Sequence, residues 1–343
     1  MKRRTALVST AVFAAGALAG AALEELLYRR VLGRPDPEAD EPIGSISGDP
    51  VTVQSFDGTT ICGDAYGPAD APMTIVFAHG AIESHVLWHY QVRDLLADTG
   101  VRIIAYDARG HGTSGPARGP DGTTPFTEYA QCRDLVAVVE ECTTGPVVLM
   151  GHSMGGMAML ALWQHGEITH IRDRVAGVVL VNSAYTADLR GWRGKGKRRE
   201  RAVERIEDVL QRIPLPMRLV DRVRPGTSDL TLLIARLVYG KDPSPTHIAA
   251  SVRMYEATPS PTFSAFVDLA RFDAHSALPL VDVPALVVTG TRDAVTPKWL
   301  SEEIAARIPD AELVVFEDCG HTAPFERYEQ LTAHLTKFLE RVS

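Results

Sequence analysis

Cysteine is scarce in this sequence, with four among 343 residues. So few cysteines in so long a chain do not make a disulfide scaffold. Glycine and proline, at 28 and 22 residues, follow no three-residue period, which excludes collagen-like and low-complexity architectures. The histidines show no metal-binding spacing such as H-E-x-x-H. We therefore expect neither a disulfide-rich domain nor a metal site.

Positive charge is also in deficit. The chain has 35 Lys and Arg against 43 Asp and Glu, a net charge of -8, and this balance argues against a surface built for nucleic acid. With 45% hydrophobic and 23% charged residues, the composition is that of an ordinary globular protein rather than a disordered or fibrous one. Length alone predicts about two domains.

The first 30 residues differ from the rest. Three basic side chains lie within Met1 to Arg4, and Thr5 to Leu23 then carry no charge. This layout predicts an exported or membrane-anchored protein. Small residues at Ala17, Ala19 and Ala21 offer signal-peptide cleavage sites, while the segment is also long enough to remain as a membrane anchor. An Ala-rich helix packed on the domain is the third interpretation.

Short β-branched runs alternate with helical patterns along the remaining chain, as in an α/β protein with a mainly parallel sheet. We expect residues 1–30 to be a signal peptide or anchor, 31–48 a linker, and 49–183 with 281–343 the α/β core. Strands are predicted at Val51–Ser55, Thr60–Ala65, Met73–Ala78, Val101–Tyr106, Pro146–Met150, Val175–Val181, Pro284–Thr289 and Glu312–Phe316, and helices at Phe126–Cys142, Met154–His165, Pro297–Arg307 and Pro324–Val342.

An insertion of about a hundred residues, 184–280, interrupts this alternation, and repeated prolines there predict short helices of a lid or cap. Its first part, Arg190 to Arg224, contains 12 Lys or Arg against 5 Asp or Glu. Such a run is either a solvated face or a surface that contacts anionic lipid or guides an acidic substrate. Together with residues 5–23 it predicts membrane association.

The most informative local motif is Gly151-His152-Ser153-Met154-Gly155, a G-x-S-x-G pattern between a predicted strand and a predicted helix. Glycine on both sides lets strand and helix approach closely, so that the serine hydroxyl projects from a tight, strained turn. At the helix N-terminus, the Met154 N–H points toward an anion forming at the reacting centre. Ser153 is the candidate nucleophile, and an ordinary turn residue is the alternative.

A serine hydroxyl needs a base, and that base needs an acid to orient it. His321 follows the last predicted strand and Asp293 follows the strand before it, so both lie at the sheet edge where parallel sheets carry their sites. For Asp293 there are two alternatives: an N-cap for the helix starting at Pro297, or replacement by an acid after another strand. His79 and His111 are predicted to order loops rather than to catalyse.

With the order Ser, Asp, His, the chain resembles the α/β-hydrolase superfamily over nearly all of Val51 to Leu339. Asp107 to Gly115 is similar to that family's D-x-R-G-x-G-x-S segment, a shaping loop, and His79-Gly80-Ala81-Ile82 is similar to its oxyanion loop. The resemblance implies a mostly parallel eight-stranded sheet flanked by helices with an inserted helical lid. It also implies that the Ala81 and Met154 N–H groups form the oxyanion hole.

The resemblance and the residues together predict a serine hydrolase, without cofactor, that cleaves a carboxylic ester or a related small-molecule acyl compound, lipids included. Serine at position 153 disfavours epoxide hydrolases and haloalkane dehalogenases, which use aspartate there. Two alternatives stay open: a cofactor-free perhydrolase, haloperoxidase-like enzyme or carbon–carbon bond hydrolase on the same triad, and a hydrolase-fold ligand receptor.

Overall fold

The computed structural model describes residues 33–98, 100–187 and 235–343. Eight strands lie within these ranges: β1 (Asp49–Gln54), β2 (Thr60–Tyr66), β3 (Thr74–Ala78), β4 (Arg102–Tyr106), β5 (Val147–His152), β6 (Val175–Val181), β7 (Ala285–Gly290) and β8 (Ala311–Phe316). They form one sheet in the order β1-β2-β4-β3-β5-β6-β7-β8. Strand β2 is antiparallel to both neighbours and the other pairs are parallel. All eight predicted strands and the mainly parallel sheet are confirmed.

Helices cover both faces of the sheet. Their bounds are α1 (His89–Asp98), α2 (Glu128–Cys142), α3 (Met154–Gln164), α4 (Pro245–Ala257), α5 (Ser260–Ala265), α6 (Lys298–Arg307), α7 (Ala323–Glu326) and α8 (Tyr328–Val342), with 3₁₀ turns at His85–Trp88, Gly166–Arg174, Phe266–Arg271 and His275–Leu280. The prediction of one continuous helix at Pro324–Val342 was wrong in one respect. It is split at Arg327, whose φ of -137° and ψ of 39° are not helical.

Alternate residues of the central strands enter two separate cores. Ile75 and Phe77 of β3 pack with side chains of α1 and α8, whereas Val76 and Ala78 pack with side chains of α2 and α3. This follows from the two-residue period of a strand. Every residue of β3, β5 and β7 is buried, as their continuous apolar sequences require.

The parallel register brings the carboxyl ends of five strands, β3, β5, β6, β7 and β8, to one edge. Gly151 of β5 is aligned with Ala78 of β3, and His152 of β5 with Val181 of β6. Val181 is in turn aligned with Val288 of β7. The loops that follow these strands therefore meet, and they carry the predicted site residues.

The stretch predicted as a lid, 184–280, is described only in part. Its described residues include helices α4 and α5, and one bridge joins Thr186 to Asp273. The Thr262 hydroxyl donates a 2.7 Å hydrogen bond to the carbonyl of Gly110, so this part contacts the loop after β4. The basic run Arg190–Arg224 lies outside the described residues, and a lid function stays a prediction.

The chain before β1 is described from residue 33. Residues 33–48 contain no helix or strand, but Glu41 contacts His89 of α1 at 2.7 Å, and Asp36 accepts hydrogen bonds from Ser244 and Thr246. The predicted linker thus lies against the core. The predicted signal or anchor, residues 1–30, falls outside the described ranges, within which no helix is long and apolar enough to cross a membrane.

Candidate active site

The turn between β5 and α3 carries the candidate nucleophile. Ser153 has a φ of 49°, in a region that L-residues with a Cβ rarely occupy. A Cβ on Gly151 would lie 2.5 Å from the backbone nitrogen of Gly156, and one on Gly155 would lie 2.3 Å from the carbonyl oxygen of Ala78. Only glycine fits at either position, which confirms the steric interpretation of the motif.

Backbone hydrogen bonds hold Ser153 in this conformation. Its N–H donates to the carbonyl of Val181 at 3.0 Å, and its own carbonyl accepts from the N–H of Gly156 at 3.0 Å. The Ser183 hydroxyl donates to the same carbonyl at 2.8 Å. The side chain of Ser153 does not cap the helix that follows, so its hydroxyl is not used for structure there.

Asp293 binds the candidate base. Its Oδ2 lies 2.9 Å from Nδ1 of His321 and accepts a 2.8 Å hydrogen bond from the amide of Asn182. Its Oδ1 accepts 2.8 Å bonds from the N–H groups of Val295 and Thr296. Burial raises the pKa of Asp293, but the charge of His321 and the hydrogen bonds from His321 and Thr296 more than offset this and hold the pKa below its ordinary value.

The contacts of Asp293 also bear on the alternative that it is a helix N-cap. Helix α6 begins after Pro297, and no side chain caps it, so Asp293 is not its N-cap. It caps the turn at Val295 and Thr296 instead. One carboxylate therefore orders its own loop and contacts His321 from a single position.

The loop that carries His321 is held on both sides. The His321 N–H donates to the carbonyl of Val238 in the inserted segment at 2.6 Å. The carboxylate of Glu326 accepts from the N–H groups of Gly320 and Thr322, at 3.0 and 3.2 Å. It also accepts from the N–H of Gly240 at 2.7 Å, so the insertion and this loop share one anchor.

His152, which immediately precedes Ser153, contacts His321. The ring centroids of His152 and His321 are 4.7 Å apart, and Nε2 of His152 lies 2.8 Å from the carbonyl oxygen of His321. A Cβ on Gly80 would lie 3.1 Å from Cβ of Ser153. The predicted serine turn, histidine loop and oxyanion loop therefore adjoin one another.

His79 and His111 order the oxyanion loop. Ring Nδ1 of His79 lies 2.7 Å from the Gly80 carbonyl, and its Nε2 accepts from the N–H of Ala108 at 2.9 Å. His111 Nε2 accepts from the N–H of Ile82 at 3.0 Å. Burial lowers the pKa of both rings, that of His111 to about 3, and each Nε2 accepts a backbone hydrogen bond, as only a neutral ring can. Their predicted role in ordering loops is confirmed.

The two N–H groups predicted to bind an oxyanion belong to Met154, which follows Ser153 in the chain, and to Ala81, which follows Gly80. Met154 is the first residue of α3, where a backbone N–H has no carbonyl of a preceding turn to bind. Ala81 lies between Gly80, which adjoins Ser153, and Ile82, which has a φ of 56°. Side chains hold the loop around Ala81, since His111 accepts from the N–H of Ile82 and Glu83 accepts from the N–H of Gly80.

The D-x-R-G segment has a structural role, as expected. The Arg109 side chain is completely buried, and its guanidinium lies 2.6 Å from Asp134 of α2 and 3.0 Å from Asp57 of the first hairpin. A Cβ on Gly112 would lie 1.9 Å from a carboxylate oxygen of Asp107, so glycine is required there. These contacts fix the loop after β4 beside the oxyanion loop.

Several residues of the site carried no signal in the sequence. No motif marks Asn182, Val238 or Ser183. Only the folded chain shows that Asn182 contacts Asp293, that Val238 contacts His321 and that Ser183 contacts Ser153. Glu326 stands five residues after His321 at the end of a helical turn, a position without a pattern of its own.

Within the described ranges, no group of three His, Cys, Asp or Glu side chains is arranged to hold a metal ion.

Comparisons with known proteins agree with this geometry. YisY of Bacillus subtilis, an AB hydrolase superfamily protein, is 26% identical over 266 residues, which cover 77% of this chain and 90% of YisY. BpoC of Mycobacterium tuberculosis, named as a non-heme bromoperoxidase, is 27% identical over 272 residues, covering 78% of this chain and 94% of BpoC.

Among solved structures, the esterase EaEST of Exiguobacterium antarcticum superposes with a TM-score of 0.67 at 24% identity, covering 86% of this chain and all of that one. At this identity the superposition shows the fold alone. A family profile described as "Alpha/beta hydrolase family" matches residues 75–334. The protein therefore belongs to the alpha/beta hydrolase family.

Proposed function

We propose that the protein is a serine hydrolase that cleaves a carboxylic ester or a related acyl compound through an acyl-enzyme on Ser153. The observation that carries this proposal is the 2.9 Å contact between Nδ1 of His321 and Oδ2 of Asp293, beside the strained turn of Ser153. With Nδ1–H donated to a carboxylate, the neutral imidazole has its lone pair on Nε2 and can act as a base there.

In the first half-reaction, Oγ of Ser153 bonds to the acyl carbon while Nε2 of His321 takes the hydroxyl proton. The carbonyl oxygen becomes an oxyanion, which the N–H groups of Ala81 and Met154 bind. As the intermediate collapses, the bond to the leaving alcohol breaks and His321 returns its proton to that alcohol. Asp293 stabilises the imidazolium that exists between these two transfers.

In the second half-reaction, water replaces the alcohol. His321 removes a proton from the water as its oxygen bonds to the acyl carbon, and the same two N–H groups bind the new oxyanion. Collapse breaks the bond to Ser153 Oγ, which recovers its proton from His321, and the acid leaves. Ser153, His321 and Asp293 are thus used twice in each turnover, and the net reaction consumes one water.

The proposal is tested with p-nitrophenyl acetate and butyrate, followed by a thioester, a lactone and an amide. We expect hydrolysis by the wild type, none by Ser153→Ala, and wild-type activity in Ser264→Ala, where an exposed hydroxyl bonds only to the carbonyl of Pro261 in its own helical turn. Full activity in Ser153→Ala would refute the assignment of the nucleophile. Tight binding of an ester with less than one turnover per protein would favour a ligand receptor instead.

A second candidate is peracid formation, in which hydrogen peroxide replaces water in the second half-reaction. The similarity to BpoC, named as a non-heme bromoperoxidase, favours testing it. Product analysis of an acetate ester with and without peroxide distinguishes the two. A peracid yield that exceeds acetate would place perhydrolysis first, and acetate alone would exclude it.

We also propose that residues 5–23 export or anchor the protein, as their uncharged composition between basic residues and the linker suggests. Fractionation of cells that express the full chain tests this. We expect the protein in the cell envelope, and we expect the double variant Phe13→Arg, Leu18→Arg in the cytoplasm. The same distribution for both chains would contradict the proposal.

A further inference from the structure

A second buried acid and histidine lie beside the candidate triad. The side chains of Glu83 and His152 are 5% and 1% exposed, and Oε2 of Glu83 lies 2.8 Å from Nδ1 of His152. Neither residue has a role in the reaction proposed above. Glu83 follows the oxyanion loop and His152 immediately precedes Ser153, so the pair joins two parts of the site.

The hydrogen-bond partners of this pair fix the hydrogen on Nε2 of His152 and leave two forms for the contact with Glu83. Oε2 of Glu83 accepts from the N–H of Gly80 at 2.8 Å as well as facing Nδ1 of His152. Nε2 of His152 faces the carbonyl oxygen of His321 at 2.8 Å. A carbonyl can only accept, so Nε2 carries a hydrogen. Oε2 accepts from Gly80 and faces Nδ1, so the remaining hydrogen lies either on Nδ1, which gives an ion pair, or on Oε2, which gives a neutral pair.

The charges of the two groups favour the pair of an imidazolium and a carboxylate. Burial lowers the pKa of His152, but the charge of Glu83 and the hydrogen bonds to Glu83 and His321 more than offset this and raise it. Burial likewise raises the pKa of Glu83, and the opposing charge and hydrogen bond of His152 lower it overall. Both directions favour the ionic form of the pair.

We propose that Glu83 is a positioning residue, which through its ion pair with His152 holds the oxyanion loop at Gly80, the turn of Ser153 and the loop of His321 in register. The inference rests on the proposed function, because it assigns the pair to that same site. The links run from the Gly80 N–H to Glu83, then to His152, and then to the His321 carbonyl. Gly80 and Glu83 come from the loop after β3, and the turn of Ser153 and the loop of His321 contribute one member each.

A buried ion pair can also serve the fold without serving a site. Arg109 and Asp134 provide the comparison, since they are at least as buried and lie 2.6 Å apart but join the loop after β4 to helix α2. If Glu83 only stabilised the fold, neutralising either carboxylate would have similar consequences. If Glu83 positions the site, only its own substitution would change turnover.

Glu83→Gln tests the pair with almost no change in side-chain volume. The amide oxygen of glutamine can accept from Gly80 and from Nδ1 of His152, but a neutral His152 then has no hydrogen on Nε2 for the His321 carbonyl. If the amide nitrogen donates to Nδ1 instead, the bond from Gly80 is lost. Either arrangement breaks one link of the chain, whereas Asp134→Asn leaves Arg109 its contact with Asp57.

For p-nitrophenyl acetate, we expect Glu83→Gln to lower kcat about tenfold, because a 1 Å misplacement can cost about 10²-fold and one lost bond moves the loops by less. We expect KM to stay within about twofold, and Asp134→Asn to keep the wild-type kcat. His152→Leu should lower kcat at least as much, and the double variant with Glu83→Gln should be no slower than His152→Leu alone.

Hydrogen–deuterium exchange tests the same chain of contacts without turnover, and so separates this inference from the proposed function. We expect Glu83→Gln to accelerate exchange in the peptide containing Asp318 to Thr322, which His152 links to Glu83. We expect Asp134→Asn to leave the exchange of this peptide unchanged. A wild type without esterase activity would refute the function, and this exchange would still decide the inference. Unchanged exchange there, or equal kcat in Glu83→Gln and wild type, would overturn it.

Discussion

Nδ1 of His321 lies 2.9 Å from Oδ2 of Asp293, and this carboxylate oxygen also accepts a 2.8 Å hydrogen bond from the side-chain amide of Asn182. The two residues come from the loops after β8 and β7, 28 positions apart in the chain. The contact fixes which ring nitrogen of His321 carries the hydrogen. A base on Nε2 is available only because Nδ1–H is held by Asp293.

Asp293→Asn should therefore lower kcat by about 10⁴-fold, since an amide that donates to Nδ1 leaves the imidazole in the wrong tautomer. The measurement is the steady-state rate with p-nitrophenyl acetate, with circular dichroism to confirm folding. Asp310→Asn is the matched control, because Asp310 is an exposed acid before β8, at the opposite edge of the sheet. A kcat for Asp293→Asn within tenfold of the wild type would be inconsistent with this role.

Acid should destabilise the protein partly through His111. Its pKa is lowered by burial from 6.5 to about 3, so between these values the unfolded chain binds a proton that the folded protein does not. The free energy of unfolding then falls as the pH drops from about 6.5 toward 3, by up to about 1.4 kcal/mol for each pH unit.

His111→Gln removes this titration while keeping an acceptor for the N–H of Ile82. Urea unfolding at pH 7, 6 and 5 should show a shallower loss of stability in His111→Gln than in the wild type. His170→Gln, at an exposed position, should keep a slope near that of the wild type. Parallel curves for His111→Gln and wild type would show that His111 does not stay neutral in the folded protein.

Gly155→Ala should destabilise the fold. Alanine in a helix gains about 1 kcal/mol over glycine, but the new Cβ would stand 2.3 Å from the backbone oxygen of Ala78, and overpacking costs about 1–3 kcal/mol or more. The clash is therefore expected to exceed the gain. Urea unfolding compares it with Gly145→Ala, whose Cβ would meet Pro72 at an ordinary 3.5 Å. A stabilised Gly155→Ala protein would contradict the close approach of α3 and β3.

Glu326→Leu should loosen the loop of His321 from both sides. Three backbone N–H groups, from Gly240, Gly320 and Thr322, bind its carboxylate, and each loses its partner at a cost of about 1–3 kcal/mol when buried. We expect lower stability and lower kcat together. Glu329→Leu, two helical positions beyond Arg327 and exposed, should change neither. Wild-type kcat in Glu326→Leu would show that the loop needs no such anchor.

The sequence predicts the sheet because its strands are short apolar runs that must be buried on both faces, as Thr74–Ala78 and Val147–His152 are. It predicts Ser153 because glycines at fixed spacing leave few conformations for the turn. Asp293 and His321 follow from the rule that parallel strands carry their sites at one edge. In each case the information is local or topological.

Contacts between distant segments were beyond prediction. Nothing near Val238 in the sequence indicates that its carbonyl binds the N–H of His321. In the sequence Asn182 is an ordinary polar residue after a strand, and only the structure shows that it lies 2.8 Å from Asp293. The break at Arg327 was missed since its helical pattern continues on both sides. Such details depend on packing, which a one-dimensional pattern does not contain.

The most direct test of the account is the site at which a fluorophosphonate reacts. The probe bonds to an activated serine and expels fluoride, so no knowledge of the natural substrate is needed. After labelling and proteolysis, mass spectrometry should locate the adduct on Ser153, and Ser153→Ala should carry none. Adduct on another residue, or undiminished labelling of Ser153→Ala, would contradict the assignment of Ser153 as the nucleophile.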